Sequence, residues 1–182
     1  MPDLPTNSGR PTMTRLLSAI LVLLLMAGGA MAQGYGYGSN AKTGLSDRTT
    51  TRVVRLLEQG LRQCRALDSV YRYDCYRQNY RTAGQRLAGN PAYAPAQQAL
   101  RDVENTLAGV LNANADPAAK PLRRRGKSFA AISEAAIPGS RAAFTAALDQ
   151  AATQLLRSSG SSRDHFARIA AALDSDKVFL RS

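Results

Sequence analysis

The chain has 182 residues, with 24 Lys and Arg against 13 Asp and Glu, a formal net charge of +11, two cysteines and one histidine. One histidine cannot assemble a zinc site if the cysteines are bonded to each other, so we expect neither a metal nor another cofactor. The sequence contains no nucleophile motif and no glycine-rich phosphate loop, so we expect no catalytic residues and no enzyme activity.

Residues 1–32 have the features of a secretory signal peptide. Arg15 precedes an apolar run over residues 16–27, and Ala30-Met31-Ala32 has the small residues of a cleavage site. The run is short for a membrane span, which needs about 20 residues. We therefore expect a periplasmic or secreted protein with no integral membrane span after cleavage, and Met13 is an alternative start of translation.

The remaining chain divides into a tether and one domain. Residues 33–46 are rich in Gly, Ser and Tyr without periodicity, which predicts a flexible tether. Residues 47–182 predict a single helical domain, and a chain of roughly 150 residues is long enough to bury one hydrophobic core.

Apolar residues at three- and four-residue steps predict four main helices and a short last one. The first begins at Ser46 or Asp47, the second covers about 70–87, the third begins at Pro95, the fourth covers 141–158 and the last begins near Arg163. The positions predicted to face inward include Val53, Leu57, Leu61 and Cys64, then Tyr73, Tyr76, Tyr80 and Leu87, then Leu100, Val103 and Leu107, then Phe144, Leu148 and Leu155, then Phe166, Ile169 and Leu173.

No strand is expected, because the sequence has no sustained alternation and no Asn-Gly or Asp-Gly hairpin turn. Residues 114–127 are therefore predicted to be a basic loop, and residues 128–136 a short helical piece. The fold class that follows is all-α, a small helical bundle.

Cys64 and Cys75 are the only cysteines, and an oxidising compartment favours a bridge between them. On one straight helix their Cα atoms would lie roughly 16 Å apart, whereas a disulfide needs about 4.4–6.8 Å. A bridge therefore requires the chain to reverse near Asp68-Ser69, which predicts a disulfide-stapled N-terminal helical hairpin. The alternatives are a redox-active pair, for which the ten-residue gap is unsuited, and one continuous helix from Asp47 to Leu87.

Two groups of cationic side chains are candidates for binding anions. Arg72, Arg77 and Arg81 alternate with tyrosines on the second helix, where tyrosines could instead pack the hairpin while the arginines are solvated. A second group, in the predicted loop, could attract anionic lipid, lipopolysaccharide or an acidic partner, or could simply be solvated. This second group consists of Arg123, Arg124, Arg125 and Lys127.

His165 is the remaining candidate for chemistry, since the neighbouring Asp164 could orient its imidazole. A single histidine beside a helix start is usually a surface or capping residue, and we expect that here. No metal site is expected.

The segment Arg72…Cys75-Tyr76-Arg77, with Cys64 in the preceding helix, resembles a group of small periplasmic proteins of Gram-negative bacteria. Their first helix supplies one cysteine, and an Arg-x-x-Cys-Tyr-Asp/Arg segment after a short turn supplies the other. The Leu-Ala pair common before their second cysteine is replaced here by Tyr73-Asp74. The resemblance implies a cysteine-bridged helical hairpin and no known activity.

The function we expect is that of an exported, non-enzymatic helical protein acting as an envelope-associated interaction or structural factor. The alternative is a binder of anionic envelope polymers or lipids through arginine-rich surfaces. The partner would be an unknown protein or an anionic envelope component, and nucleic acid is not expected in that compartment. A contiguous basic face would favour the alternative, whereas a cleft converging on His165 and carboxylates would favour a hydrolase.

Overall fold

The structure is a computed structural model of the chain, and it describes residues 44–158 and 160–181, without the side chains of residues 178, 179 and 181. The predicted signal peptide and most of the predicted tether lie outside these residues. Helices dominate the described part of the chain, which also contains one two-stranded sheet. The elements are α1 (Asp47–Arg65), α2 (Ser69–Leu87), a 3-10 turn (Pro91–Tyr93), α3 (Ala94–Asn114), β1 (Leu122–Arg124), β2 (Lys127–Phe129), a 3-10 turn (Glu134–Ala136), α4 (Ile137–Leu156), a 3-10 turn (Gly160–Ser162) and α5 (Arg163–Arg181).

The five helices of this part of the chain form a closed ring, in which each helix packs against the next and α5 returns to pack against α1. Consecutive helices run antiparallel, and an odd number cannot alternate all the way round. α1 and α5 are therefore parallel, with Thr50 near the start of α1 contacting His165 near the start of α5. This arrangement is the predicted all-α bundle.

The helix starts follow the capping residues in the sequence. Ser46 caps α1, with its Oγ accepting from the Thr49 backbone N–H at 3.3 Å. Pro138 lies in the first turn of α4, where a backbone N–H would have no acceptor within the helix. The absence of an N–H in proline therefore costs no hydrogen bond there. α5 begins at Arg163 as predicted, but it continues to Arg181 and is not short.

The predicted inward positions make up the core of the bundle. Leu57, Tyr80, Leu107, Phe144 and Ile169 are all fully buried, one from each helix. Removal of this apolar surface from water is the main force that holds the ring together. Among the described residues, Leu156 is the large apolar side chain that is exposed.

Cys64 and Cys75 are bonded to each other, with their Cα atoms 5.4 Å apart. The chain reverses between Arg65 and Ser69, so the predicted helical hairpin is confirmed and the single continuous helix is wrong. Asp68 occupies the N-cap position of α2 but makes no side-chain capping bond to the described residues. Instead, the Arg72 Nε donates to the Leu67 carbonyl oxygen at 2.8 Å and closes the turn.

The expectation of no strand is wrong in the connection between α3 and α4. β1 and β2 form an antiparallel hairpin in which Leu122 pairs with Phe129 and Arg124 with Lys127. The helical piece predicted over residues 128–136 is likewise wrong, since only Glu134–Ala136 form a 3-10 turn. The turn residues are Arg125-Gly126, which a search for Asn-Gly or Asp-Gly does not find.

None of the helices in the described residues is both long enough and apolar enough to cross a membrane.

Candidate functional site

Charge is distributed unevenly among the elements. α1, α2 and the β-hairpin contain thirteen Arg and Lys against three Asp and Glu, whereas α3, α4 and α5 contain six of each. The first group therefore has a net charge of +10, and the second is neutral. Because α1 and the hairpin both pack against α2, the excess positive charge is concentrated in one part of the molecule.

Four arginines lie along one line of α1. Arg48, Arg52, Arg55 and Arg62 follow at steps of four, three and seven residues, which keeps them within roughly 40° of one direction on a helix of 3.6 residues per turn. The line is roughly 21 Å long at about 1.5 Å per residue. All four residues are exposed and have no ion-pair partner among the described residues. Glu58 is half-buried, roughly a quarter turn away.

The N-terminal half of this line borders a shallow depression of about 530 Å³. Arg86 of α2 also lines this depression, beside the arginines of α1. Asp47 is the one carboxylate among the described lining residues, and Arg168 of α5 holds it at 2.6 Å. The depression is therefore surrounded by guanidinium groups that lack a carboxylate partner within the described chain.

The C-terminal end of the line opens into a second, more enclosed cleft of about 450 Å³ between α1, α2 and the hairpin. Its floor is apolar and includes the Cys64–Cys75 disulfide and Phe129. Of the residues that the structure describes, no Asp or Glu lines the cleft. The cations that line it are Arg62, Arg124, Arg125 and Lys127.

We call the cations of the line, the depression and the cleft the basic face. The basic face is contiguous, because its arginines follow one direction along α1 and its remaining cations continue onto α2 and the hairpin. Sequence reasoning found only its hairpin members as candidates. The basic face consists of Arg48, Arg52, Arg55, Arg62, Arg86, Arg124, Arg125 and Lys127.

The hairpin directs its cations to two sides. Side chains alternate along a strand and directly paired residues share a side, so Arg124 and Lys127 lie with Phe129 on the side that lines the cleft. Arg123 pairs with Ser128 on the opposite side and does not line the cleft. The predicted candidate Arg123 is therefore separated from its neighbours.

The tip of the hairpin is a two-residue turn with both residues at positive φ. Arg125 has φ 50° and Gly126 has φ 74°, the combination of a type I′ turn. Such a turn normally takes Asn, Asp or Gly first, because other side chains are strained in this region. Arg125 is thus an unfavourable residue for the turn, and it lines the cleft.

A buried carboxylate attaches the hairpin to α2. Asp74 is 4% exposed, and its Oδ2 accepts from the Ala130 backbone N–H at 2.8 Å. Its Oδ1 accepts from Nε and Nη2 of Arg77 at 2.9 and 2.7 Å. Gln78 adds a bond from Nε2 to the Ser128 carbonyl oxygen at 2.8 Å. These bonds fix the cleft wall relative to the disulfide.

Close approach of α1 to α2 shapes the cleft on its helical side. A Cβ placed on Gly60 would lie 2.0 Å from Cγ of Asn79, so only glycine fits. Asn79 donates from Nδ2 to the Leu57 carbonyl oxygen at 3.3 Å across this contact. Both Gly60 and Asn79 line the cleft.

The three predicted candidates on α2 have partners within the protein. Arg72 donates to the Leu67 carbonyl oxygen, and Arg77 is paired with Asp74. Arg81 contacts Glu104 of α3 at 2.7 Å and is half-exposed. None of the three lines the cleft, although Arg72 and Arg124 of the hairpin donate to the adjacent carbonyl oxygens of Leu67 and Ala66.

The tyrosines of α2 pack inside the bundle. Tyr76 stacks against Phe144 of α4 with ring centroids 5.0 Å apart, and Tyr80 meets the same ring edge-on at 5.8 Å. Their burial confirms that they pack inside the protein, but Tyr76 and Tyr80 contact α4, beyond the hairpin, and the neighbouring arginines have partners rather than being only solvated. The Tyr73 hydroxyl donates to the Ile137 carbonyl oxygen at 3.2 Å, and the Tyr80 hydroxyl donates to Asp176.

Asp176 of α5 is a buried carboxyl with one oxygen left unpaired. The Tyr80 hydroxyl donates to Oδ2, whereas Oδ1 has no hydrogen-bond partner among the described residues. Burial raises the pKa of the Asp176 carboxyl from 3.8 to about 7, against the lowering effect of the Tyr80 bond and with a smaller rise from the charge of Glu58. Burial also raises the pKa of Tyr76 to about 12.

His165 belongs to a chain of hydrogen bonds among α1, the Pro91–Tyr93 turn and α5. Its Nδ1 lies 2.9 Å from Thr50 Oγ1, which lies 2.7 Å from the Tyr93 hydroxyl. That hydroxyl donates to the Ser46 carbonyl oxygen at 2.8 Å. The described side chains contain no group of three or more His, Cys, Asp or Glu that could hold a metal ion.

The sequence contains a signal for the α1 arginines, which is their recurrence on one helical face. The predicted site did not include them, because exposed arginines opposite an apolar stripe are usually only solvated. Comparisons with known protein families, with curated proteins and with solved structures find no match for this chain.

Proposed function

We propose that this protein is an exported, non-enzymatic interaction factor of the bacterial cell envelope that binds an anionic polymer along its basic face. The observation that supports the proposal most directly is the contiguous set of eight described cations. Asp47 is the one carboxylate among the described residues that line the depression and the cleft, and Arg168 holds it. A field of one sign concentrates and orients an oppositely charged partner.

The dimensions and chemistry of the basic face suit an extended chain of acidic groups. A line of roughly 21 Å exceeds what one small anion can occupy. Seven of the eight cations are arginines, whose planar guanidinium forks bind carboxylate or phosphate through two parallel hydrogen bonds. An acidic polysaccharide or a phosphate-containing polymer offers such groups at regular intervals.

A lipid surface fits the basic face less well. Peripheral membrane binding normally adds buried apolar side chains to the electrostatic attraction. The exposed large apolar residue of the described chain, Leu156, is at the end of α4 and does not line either depression. We therefore propose a polymer rather than a bilayer as the partner.

Binding to long-chain polyphosphate and to polygalacturonate tests the proposal. The exchange Arg52→Gln/Arg55→Gln should weaken binding about tenfold, because each exposed charge contributes up to about 1 kcal/mol. The matched control Arg101→Gln/Arg157→Gln removes the same charge from α3 and the end of α4, and it should change affinity less than about twofold. Affinity should fall as salt rises.

Equal losses of polymer affinity in the two variants would mean that binding depends on net charge alone and not on the basic face. That result would contradict the proposal. Binding to vesicles containing anionic phospholipid, with no binding to either polymer, would also overturn it. The export step is tested separately by the intact mass of the protein from its host, which should correspond to a chain starting at Gln33.

A further inference from the structure

We infer that the cleft beside the disulfide is a discrete site for one phosphate ester group, bound together with the carbon skeleton that carries it. The inference deepens the proposed function, because the cleft terminates the basic face. It assigns two tasks to that face: the α1 line holds the polymer by distributed charge, and the cleft selects a phosphorylated unit.

The cations of the cleft provide more positive charge than a carboxylate needs. Arg62 comes from α1, whereas Arg124, Arg125 and Lys127 come from the hairpin, so the charges converge from two sides. Within the described chain, no Asp or Glu lines the cleft to offset them. A phosphate monoester carries up to two negative charges and three acceptor oxygens, so it matches converging cations better than a singly charged carboxylate.

The volume and floor of the cleft leave room for more than the phosphate. About 450 Å³ falls within the range of small-molecule sites. The disulfide, Leu67 and Phe129 give its floor an apolar character, suited to carbon atoms of a sugar or polyol. A bare phosphate would leave this floor in water.

Arg125 is the residue whose position is hardest to explain without a ligand. It occupies the first turn position at φ 50°, where glycine would be unstrained, and it makes no hydrogen bond or ion pair with the described residues. Strain at such a position is a reason to look for a function of the side chain. Its place on the rim of the cleft supplies that function.

Titration of the full-length mature protein with glycerol 3-phosphate, followed by backbone amide NMR shifts, tests the inference. Wild-type protein should show saturable shifts at residues 62–67 and 122–129. Arg125→Gln/Lys127→Gln should weaken this binding at least tenfold, whereas Arg52→Gln/Arg55→Gln should change it less than about twofold. Acetate at the same ionic strength should bind at least tenfold more weakly.

A second variant separates binding from folding. Arg125→Gly relieves the strain of the turn and should leave the thermal midpoint unchanged or higher, while it lowers glycerol 3-phosphate affinity several-fold. Unchanged affinity in this variant would overturn the inference, as would equal affinity for acetate or equal losses in the cleft and line variants.

Long-chain polyphosphate distinguishes the cleft from the α1 line. If the polymer binds through α1 and glycerol 3-phosphate shows no saturable site, the cleft inference fails and the proposed function stands. If glycerol 3-phosphate binds in the cleft and neither long polymer binds, the cleft site stands and the proposed polymer function fails.

Discussion

The half of the molecule formed by α1, α2 and the hairpin differs from the half formed by α3, α4 and α5 in how it uses charge. In the second half, charged side chains pair at short range, as Lys177 does with Asp149 and Asp174 at 2.5 and 2.7 Å. In the first half, the arginines of the α1 line face water without a carboxylate partner among the described residues. Eight of the thirteen cations of the first half belong to the basic face, so contacts with an anionic ligand are expected there and not over the whole molecule.

The two halves also differ in what holds them. The first half combines its apolar core with a disulfide, the buried Asp74 and the Gly60–Asn79 contact. The second half relies more on apolar side chains such as Leu107 and Phe144. Substitutions in the apolar core of the second half should therefore change the stability of the protein without changing its affinity for an anion.

The largest loss of stability should come from the apolar half. Leu107 is fully buried on α3, so Leu107→Ala should lower the free energy of unfolding by about 2–5 kcal/mol. Arg101 is exposed on the same helix, and Arg101→Ala should change it by less than about 0.5 kcal/mol. Denaturant titration measures both, and equal midpoint shifts would contradict the burial of this stripe.

Loss of the disulfide should come next in size and should act on the basic half. Removing the bridge with Cys64→Ser/Cys75→Ser should lower the free energy of unfolding by roughly 2–4 kcal/mol, because the unfolded chain gains freedom. Urea titration of the oxidised protein and of the variant gives the difference. A variant as stable as the oxidised protein would show that the bridge is not a support of the hairpin.

Asp176 tests the contact between the halves, since it joins α5 to Tyr80 of α2. A carboxyl whose pKa is higher in the folded than in the unfolded state binds its proton more tightly when folded. Stability from this group should be full below pH 3.8 and should be lost as the pH rises to about 7.

The variant Asp176→Asn should lose this pH dependence. At pH 8 it should be more stable than wild type by roughly 1–3 kcal/mol, because a neutral amide replaces a buried charge with an unpaired oxygen. Thermal unfolding of both proteins between pH 4 and pH 8 provides the measurement. Parallel curves would mean that Asp176 is not the titrating group.

Two glycines give the smallest and most closely matched comparison. Gly60→Ala should destabilise by roughly 1–3 kcal/mol, because its Cβ would overlap Asn79. A Cβ added to Gly109 of α3 would have no described atom within 4 Å, so Gly109→Ala should stabilise by roughly 0.5–1 kcal/mol. Urea titration should show changes in the free energy of unfolding of opposite sign for the two variants. Changes of the same sign would contradict this difference between the halves.

The sequence predicts those parts of the fold that follow from apolar spacing. Leu57, Tyr80 and Leu107 each belong to a series of apolar residues with helical periodicity, on α1, α2 and α3. A disulfide between Cys64 and Cys75 requires the chain to reverse between them. The hairpin could not be predicted in this way, because its turn uses Arg125 where the usual signal is Asn or Asp. Its strands are three residues each, which is too short for an alternating pattern to be recognised.

The candidate site was predicted less completely. Arg124, Arg125 and Lys127 were found from their local density, but Arg62 and Arg86 join them only through the packing of α1 on α2 and the hairpin. Arg77 was also a candidate, and it is instead paired with Asp74, which also accepts from the Ala130 backbone N–H. Such tertiary hydrogen bonds leave no periodic trace in a sequence.

The odd number of helices in the described ring has an electrostatic consequence. In an antiparallel pair the macrodipoles of the two helices oppose each other, so an even ring would leave no net moment. Here α5 runs parallel to α1, and one moment remains, with its negative end on the side where α1 ends. The cleft opens at that end, where α1 ends and α2 begins. The negative end of this moment opposes the attraction that the side-chain cations exert on an anion.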